Sequence, residues 1–111
     1  MSILRLEAAP FAPIDCRYIE SVDVEVTNGG SDGFEMLVHA YGEQGLFYVQ
    51  LIHVSSGAAV PLQNIVTGYM PFQLVLVSNI NQYAHTGVTL RMYNQGHLIA
   101  LYTQEDTIRT V

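Results

Sequence analysis

The chain has 111 residues, of which 50% are apolar and 13% charged, with a formal net charge of −6. That length supports one hydrophobic core, so a single domain over residues 1–111 is expected. With no lysine, and only Arg5, Arg17, Arg91 and Arg109 as cations, the chain lacks the basic footprint that nucleic acid or an anionic membrane surface requires.

The N-terminus reads "MSILRLEAAPF". Its apolar run is cut short by Glu7, so no signal peptide is expected, and Ile3 to Glu7 reads as a short strand. No apolar stretch approaches the length of a membrane span. Cys16 stands alone and cannot form an intrachain disulfide. The expectation is synthesis and folding in the cytoplasm without a signal peptide, a start that is compatible with later life in a virion released by lysis.

From Ser21 onward the dominant signal is period two. In "SVDVEVTN" Val22, Val24 and Val26 alternate with Asp23, Glu25 and Thr27, which reads as a strand with one buried and one solvated face. "FEMLVHAY" sets Phe34, Met36, Val38 and Ala40 against Glu35, Leu37, His39 and Tyr41. "NGGSDG" joins these two runs. A tight "GEQG" turn leads into Leu46 to Val54 and would place His39 opposite Tyr48 and Leu37 opposite Gln50. "SSGAA" ends that strand, and Val60 to Val66 is expected to form another. "TGYMP" then precedes "FQLVLVSN". A two-residue Gln95–Gly96 loop joins "VTLRMY" to "HLIALYT" and would pair Met92 with Ile99 and Leu90 with Leu101.

No apolar period of 3.6 residues persists long enough for a helix. The expected fold is therefore all-β: a single-domain antiparallel β-sandwich, or a jelly-roll-like small barrel, of about eight strands. "LFYVQLIHV" and "FQLVLVS" carry large apolar residues on both faces. In so small a domain the second face calls for cover from another subunit.

Charge is distributed unevenly. Eight of the ten carboxylates lie between Glu7 and Glu43, and the 61 residues from Gln44 to Gln104 hold none. Charge depletion with Tyr and Met enrichment resembles buried interface surface. A neutral amide-rich solvent face would share this composition.

Catalytic chemistry finds little support. Cys16 has no base or Gly-rich elbow near it in sequence and reads as a structural cysteine. Glu20, Asp23, Glu25 and Glu35 are candidate acid/base carboxylates, but Asp23 and Glu25 alternate with core valines and read as an outward strand face. His39, His53, His85 and His97 are dispersed, without metal-ligand spacing. "NGGSDGFE" offers Asn28, Asp32 and Glu35 as oxygen ligands but fails calcium-loop spacing. Phosphate-binding glycine motifs are lacking. No enzyme activity, cofactor or metal is expected.

The remaining candidate is "NINQYAHTG". Its Asn79, Asn81, Gln82, Tyr83 and His85 could read a neutral glycan through amide hydrogen bonds and ring stacking, or contact another protein chain. Set within the neutral half of the sequence, the loop is expected to contact protein. The resulting expectation is a structural or interaction subunit of a symmetric homo-oligomer or larger assembly. Its most specific form is a phage virion component such as a capsid decoration or head–tail protein. A carbohydrate-binding, lectin-like module is the alternative.

Overall fold

Alternating residues need a two-sided environment, and here two sheets provide it. The computed structural model describes residues 1–80 and 85–110. Among these residues the strands are β1 (Ser2–Ala8), β2 (Ser21–Asn28), β3 (Phe34–Gly42), β4 (Gly45–Val54), β5 (Ala59–Val66), β6 (Phe72–Ser78), β7 (Thr86–Asn94), β8 (His97–Thr103) and β9 (Ile108–Thr110). Short 3-10 turns occur at Cys16–Tyr18 and Gln104–Asp106.

One sheet has the order β4-β3-β6-β1-β9 and the other β5-β2-β7-β8, with antiparallel pairing throughout. Each sheet keeps two edges, so the architecture is an antiparallel β-sandwich rather than a closed barrel. All eight expected strands are present. The ninth, Ile108–Thr110, pairs with β1 through Ile3, Leu4 and Arg5.

Each inner face follows from its pattern. Leu4 and Leu6 of β1, Phe34, Met36 and Val38 of β3, and Leu74 and Leu76 of β6 are buried on one side. Val22, Val24 and Val26 of β2 and Val88, Leu90 and Met92 of β7 oppose them from the second sheet. Full burial of each such side chain contributes about 1.5–3 kcal/mol, and together they form one continuous cluster.

Two expected registers are corrected by β-bulges. The β3–β4 turn pairs Gly42 with Gly45 and Tyr41 with Leu46, but the register then shifts, so that His39 faces Val49 and Leu37 faces Leu51. Phe47 is the extra residue. Without it, extending the turn register would turn Leu51 and His53 toward the core. With it, Ile52 and Val54 enter the core, and both are buried. The bulge spares the interior an imidazole.

In the β7–β8 hairpin, Gln95 and Gly96 have φ of 51° and 81°, the signs a two-residue type I′ turn demands. Asn94 pairs with His97 and Tyr93 with Leu98, then the register shifts at Ile99. Met92 therefore faces Ala100 and Leu90 faces Tyr102, not Ile99 and Leu101. Both bulges lie on edge strands, where added twist discourages stray pairing.

Candidate interaction surfaces

The described ends of the loop singled out in the sequence, residues 79–80 and 85–87, lie at the end of the sandwich where β6 stops and β7 starts. Asn79 is exposed, yet it is tied to β3: its N–H donates to the Glu35 carbonyl at 3.2 Å, and its Oδ1 accepts from the Glu35 N–H at 3.0 Å. The carbonyl of His85 accepts from the Gly29 N–H at 2.7 Å. The His85 side chain packs beside Gly30, where an added Cβ would sit 3.3 Å from the histidine Cβ. Asn81, Gln82 and Tyr83 lie outside the described residues.

A cleft of about 240 Å³ opens here, lined by Asn28, Gly30, Ser31, Asp32, Ile80, His85 and Thr86. His85 therefore lines the cleft, whereas Asn79 serves as a strand clamp. Asn28 is committed to the scaffold. Its Nδ2 donates to the carbonyls of Asp32 at 2.8 Å and Val54 at 3.0 Å, and its Oδ1 accepts from the Gly30 N–H at 2.9 Å. Ser31, Asp32, His85 and the largely buried Thr86 are the polar side chains left to meet a ligand.

The remaining sequence candidates are dispersed. Cys16 is buried, and burial, followed by the adjacent Asp15 carboxylate, pushes its thiol above the ordinary value. Asp23 accepts from the Asn64 N–H at 2.8 Å and holds the bulge at the β5 edge, where Asn64 has φ of 61°. His53 Nδ1 lies 2.9 Å from Glu35 Oε1 on the outer side of the β3–β4 hairpin. Among the described residues no three His, Cys, Asp or Glu side chains come together as a metal-holding group.

The outer faces of the two sheets differ in their central strands. On the four-stranded sheet, register sets Glu25 beside Thr89 and Asp23 beside Arg91, with Thr27 and Ser21 in the flanking rows. The centre of this face is polar, and its edge strands add the exposed Val66, Leu98 and Leu101. On the five-stranded sheet one cross-strand row reads Leu51, Leu37, Val77, Ile3 and Thr110. The adjacent row reads Val49, His39, Val75, Arg5 and Ile108.

Polar side chains border both rows. His53, Glu35 and Asn79 lie on one side, and Tyr41, Gln73 and Glu7 on the other. Leu51 is 62% exposed and Ile108 71%. At the centre, the buried His39 Nδ1 has no hydrogen-bond partner among the described residues. With Arg5 inside the rows and exposed Leu46 beside Tyr41 as its exceptions, an apolar centre with a polar border is the layout of a protein–protein contact.

The opposite end of the sandwich carries a second, separate concentration of apolar surface. A larger cleft of about 640 Å³ lies between the β3–β4 turn and the β5–β6 connection, walled by Leu46, Phe47, Val66, Met70 and Pro71, with Glu43 on its lining. On the same end Phe11 projects at 84% exposure with φ of 63°, a left-handed backbone that costs a bulky residue about 1–2 kcal/mol.

Asp15 organises this protrusion. Its Oδ2 accepts from the Phe11 N–H at 3.2 Å and from Arg17 Nη2 at 2.7 Å, and the Arg17 guanidinium lies 3.8 Å from the centre of the Phe11 ring. The hydrogen bonds from the Arg17 side chain lower the Asp15 carboxyl to about 2. Sequence reasoning missed Phe11 because it belongs to no periodic run. The available signal was the acid–arginine pair just after it.

Among the described residues no helix is long and apolar enough to cross a membrane. No family model matches the chain, and no curated protein sequence matches it. The chain is similar to a protein of known crystal structure, Thermotoga maritima 1070, with a TM-score of 0.53 at 15% identity, covering 76% of this chain and 72% of that one. At that identity the likeness shows a shared fold.

Proposed function

We propose that this protein is a structural subunit of a symmetric assembly, and that the outer face of its five-stranded sheet is the contact surface. The observation that carries this reading is the double row of Leu51, Leu37, Val77, Ile3 and Thr110 beside Val49, His39, Val75, Arg5 and Ile108, apolar in eight of its ten positions if His39 is counted with its apolar neighbours. The opposite sheet has Asp23, Glu25 and Thr27 at its centre instead, with apolar Val66, Leu98 and Leu101 confined to its edge strands.

Size is consistent with the reading. Five strands at about 4.8 Å spacing and about 23 Å long give a projected face of roughly 550 Å² before side-chain relief, near the ~800 Å² each partner gives to a standard interface. Covering the exposed 62% of Leu51 alone would contribute about 1–2 kcal/mol. A capsid-decoration or head–tail protein would use such a pair of faces with the four-stranded sheet outward and the five-stranded sheet against its neighbours.

Light scattering at micromolar concentration tests the proposal. The parent protein should show the mass of two or more copies, and Leu51→Glu should lower it while the far-UV spectrum is unchanged. A single-copy mass for the parent overturns the reading.

A second reading rests on the 240 Å³ cleft with Ser31, Asp32 and His85 on its lining. It makes the protein a binder of a small neutral glycan. A glycan array without hits removes it.

A further inference from the structure

Both halves of another contact lie on the end of the sandwich that carries the 640 Å³ cleft. Phe11 is held outward by a three-residue device: Asp15 fixes its backbone N–H, Arg17 stacks on its ring, and Asp15 pairs with Arg17. A residue that is strained and 84% exposed is unfavourable in both respects when the chain is alone. The cleft beside it is walled by Leu46, Phe47, Val66 and Met70, exposed to between 45% and 58%.

We propose that Phe11 of one copy inserts into this cleft on a second copy, and that the second copy's Phe11 does the same in return, making a closed end-to-end dimer. Three observations select a second copy as the occupant. The first is fit: cavities near 150 Å³ already hold a benzene ring, so the 640 Å³ cleft admits a phenyl group with part of its backbone.

The second is charge. Asp15 pairs with Arg17, but the guanidinium is the more exposed partner, at 41% against 19%, so the cationic side of the pair is the one turned toward Glu43 on the cleft lining as Phe11 enters. The third is placement. Knob and cleft share one end of the molecule, which permits a reciprocal, closed two-fold contact. On opposite ends they would propagate a filament. The proposal rests on the assembly reading above but uses a different part of the surface.

The test uses the full chain with p-benzoylphenylalanine in place of Phe11, mixed as isotopically light and heavy protein, irradiated and mapped by mass spectrometry. Light-to-heavy crosslinks should fall in peptides spanning residues 42–47 and 66–71. Crosslinks confined to one copy, or to other peptides, overturn the proposal. In parallel, Phe11→Ser and Met70→Glu should each weaken self-association at least tenfold by sedimentation with unchanged far-UV spectra.

Should both variants associate as the parent does while Leu51→Glu does not, the end contact falls and the sheet-face reading stands. A parent protein that stays single throughout the micromolar range overturns both.

Discussion

Replacing Asn28 by Ala should destabilise the fold by about 3 kcal/mol, within a range of about 2–4. Asn28 is 4% exposed at the end of β2, where the sheet gives way to loops. Its side chain makes three hydrogen bonds to backbone: to the carbonyls of Asp32 and Val54 and from the Gly30 N–H. Each is worth about 0.5–1.5 kcal/mol, and the Val54 carbonyl bond is buried, so losing it leaves an acceptor that water does not reach. Against a total stability of about 5–15 kcal/mol this is a large change.

Urea denaturation followed by tyrosine fluorescence measures it, since the chain has seven Tyr and no Trp. A loss below about 1 kcal/mol with an unchanged slope refutes the reasoning. Asn28→Asp separates hydrogen bonding from packing. It keeps the shape but turns a donor into a carboxylate oxygen aimed at two carbonyls, so at pH 7 it should be at least as damaging as Ala.

A protonated carboxyl can return one donor, which raises the folded-state pKa of that Asp above its unfolded value of about 3.9. The recovered stability is fully present below about pH 4 and is lost as pH rises through the folded value. The gap between Asn28→Asp and the parent should therefore narrow on acidification. If the Asp variant matches the parent at pH 7, packing rather than hydrogen bonding governs the site.

Further outcomes follow from other parts of the molecule. Gly87→Ala should destabilise by about 1–3 kcal/mol, because the new Cβ meets Thr27 Oγ1 across the β2–β7 pair; adding Thr27→Ala should recover most of the loss in the same denaturation assay. Glu25→Lys on the outer face of the four-stranded sheet should leave oligomeric mass unchanged, whereas Val75→Asp, at the centre of the apolar rows and 9% exposed, should lower mass, solubility or both.

The Asp15 carboxyl should titrate near pH 2 by carbon NMR, and Arg17→Gln should move it back toward about 4. Its folded pKa lies below the unfolded one. Its contribution is therefore present above about pH 4 and lost as pH falls toward 2.

Strand existence was legible because alternation is a local property. Val22, Val24 and Val26 declare a buried face whatever lies across from them. Register was legible only as far as the first pairs beyond each turn, since one extra residue at Phe47 or Ile99 reverses every later side chain. The sequence shows no signal for a single-residue bulge. The decision between Leu51 and Ile52 as the core residue is made by whether His53 would be buried, which depends on the partner strand.

The apolar outer face was visible in part, as two strands with large residues on both sides. That Leu37, Val77 and Ile3 align with Leu51 in one row requires the β4-β3-β6-β1 order, in which β6 sits between β3 and β1. The loop from Asn79 to Gly87 looked special because it is polar and uncharged. In the fold Asn79 is a clamp on Glu35, and the larger cleft is built from residues 42–47, 66–67 and 70–71, which no linear motif unites.

The two proposed contacts together restrict what the assembly can be. A chain with one self-complementary surface stops at a dimer. A chain with two goes further: if their two-fold axes intersect it closes into a dihedral ring of dimers, and otherwise it propagates. Removing either surface should then leave a dimer rather than a monomer, because the other survives intact. Leu51→Glu tests the sheet face and Phe11→Ser the end, and their exposed positions make each change compatible with folding. Each single variant should sediment as two copies, and the double variant as one, with the parent heavier than either. Monomers from a single substitution would mean that the two surfaces belong to one continuous interface, joined around the corner at Leu46 and Phe47, where β4 borders both.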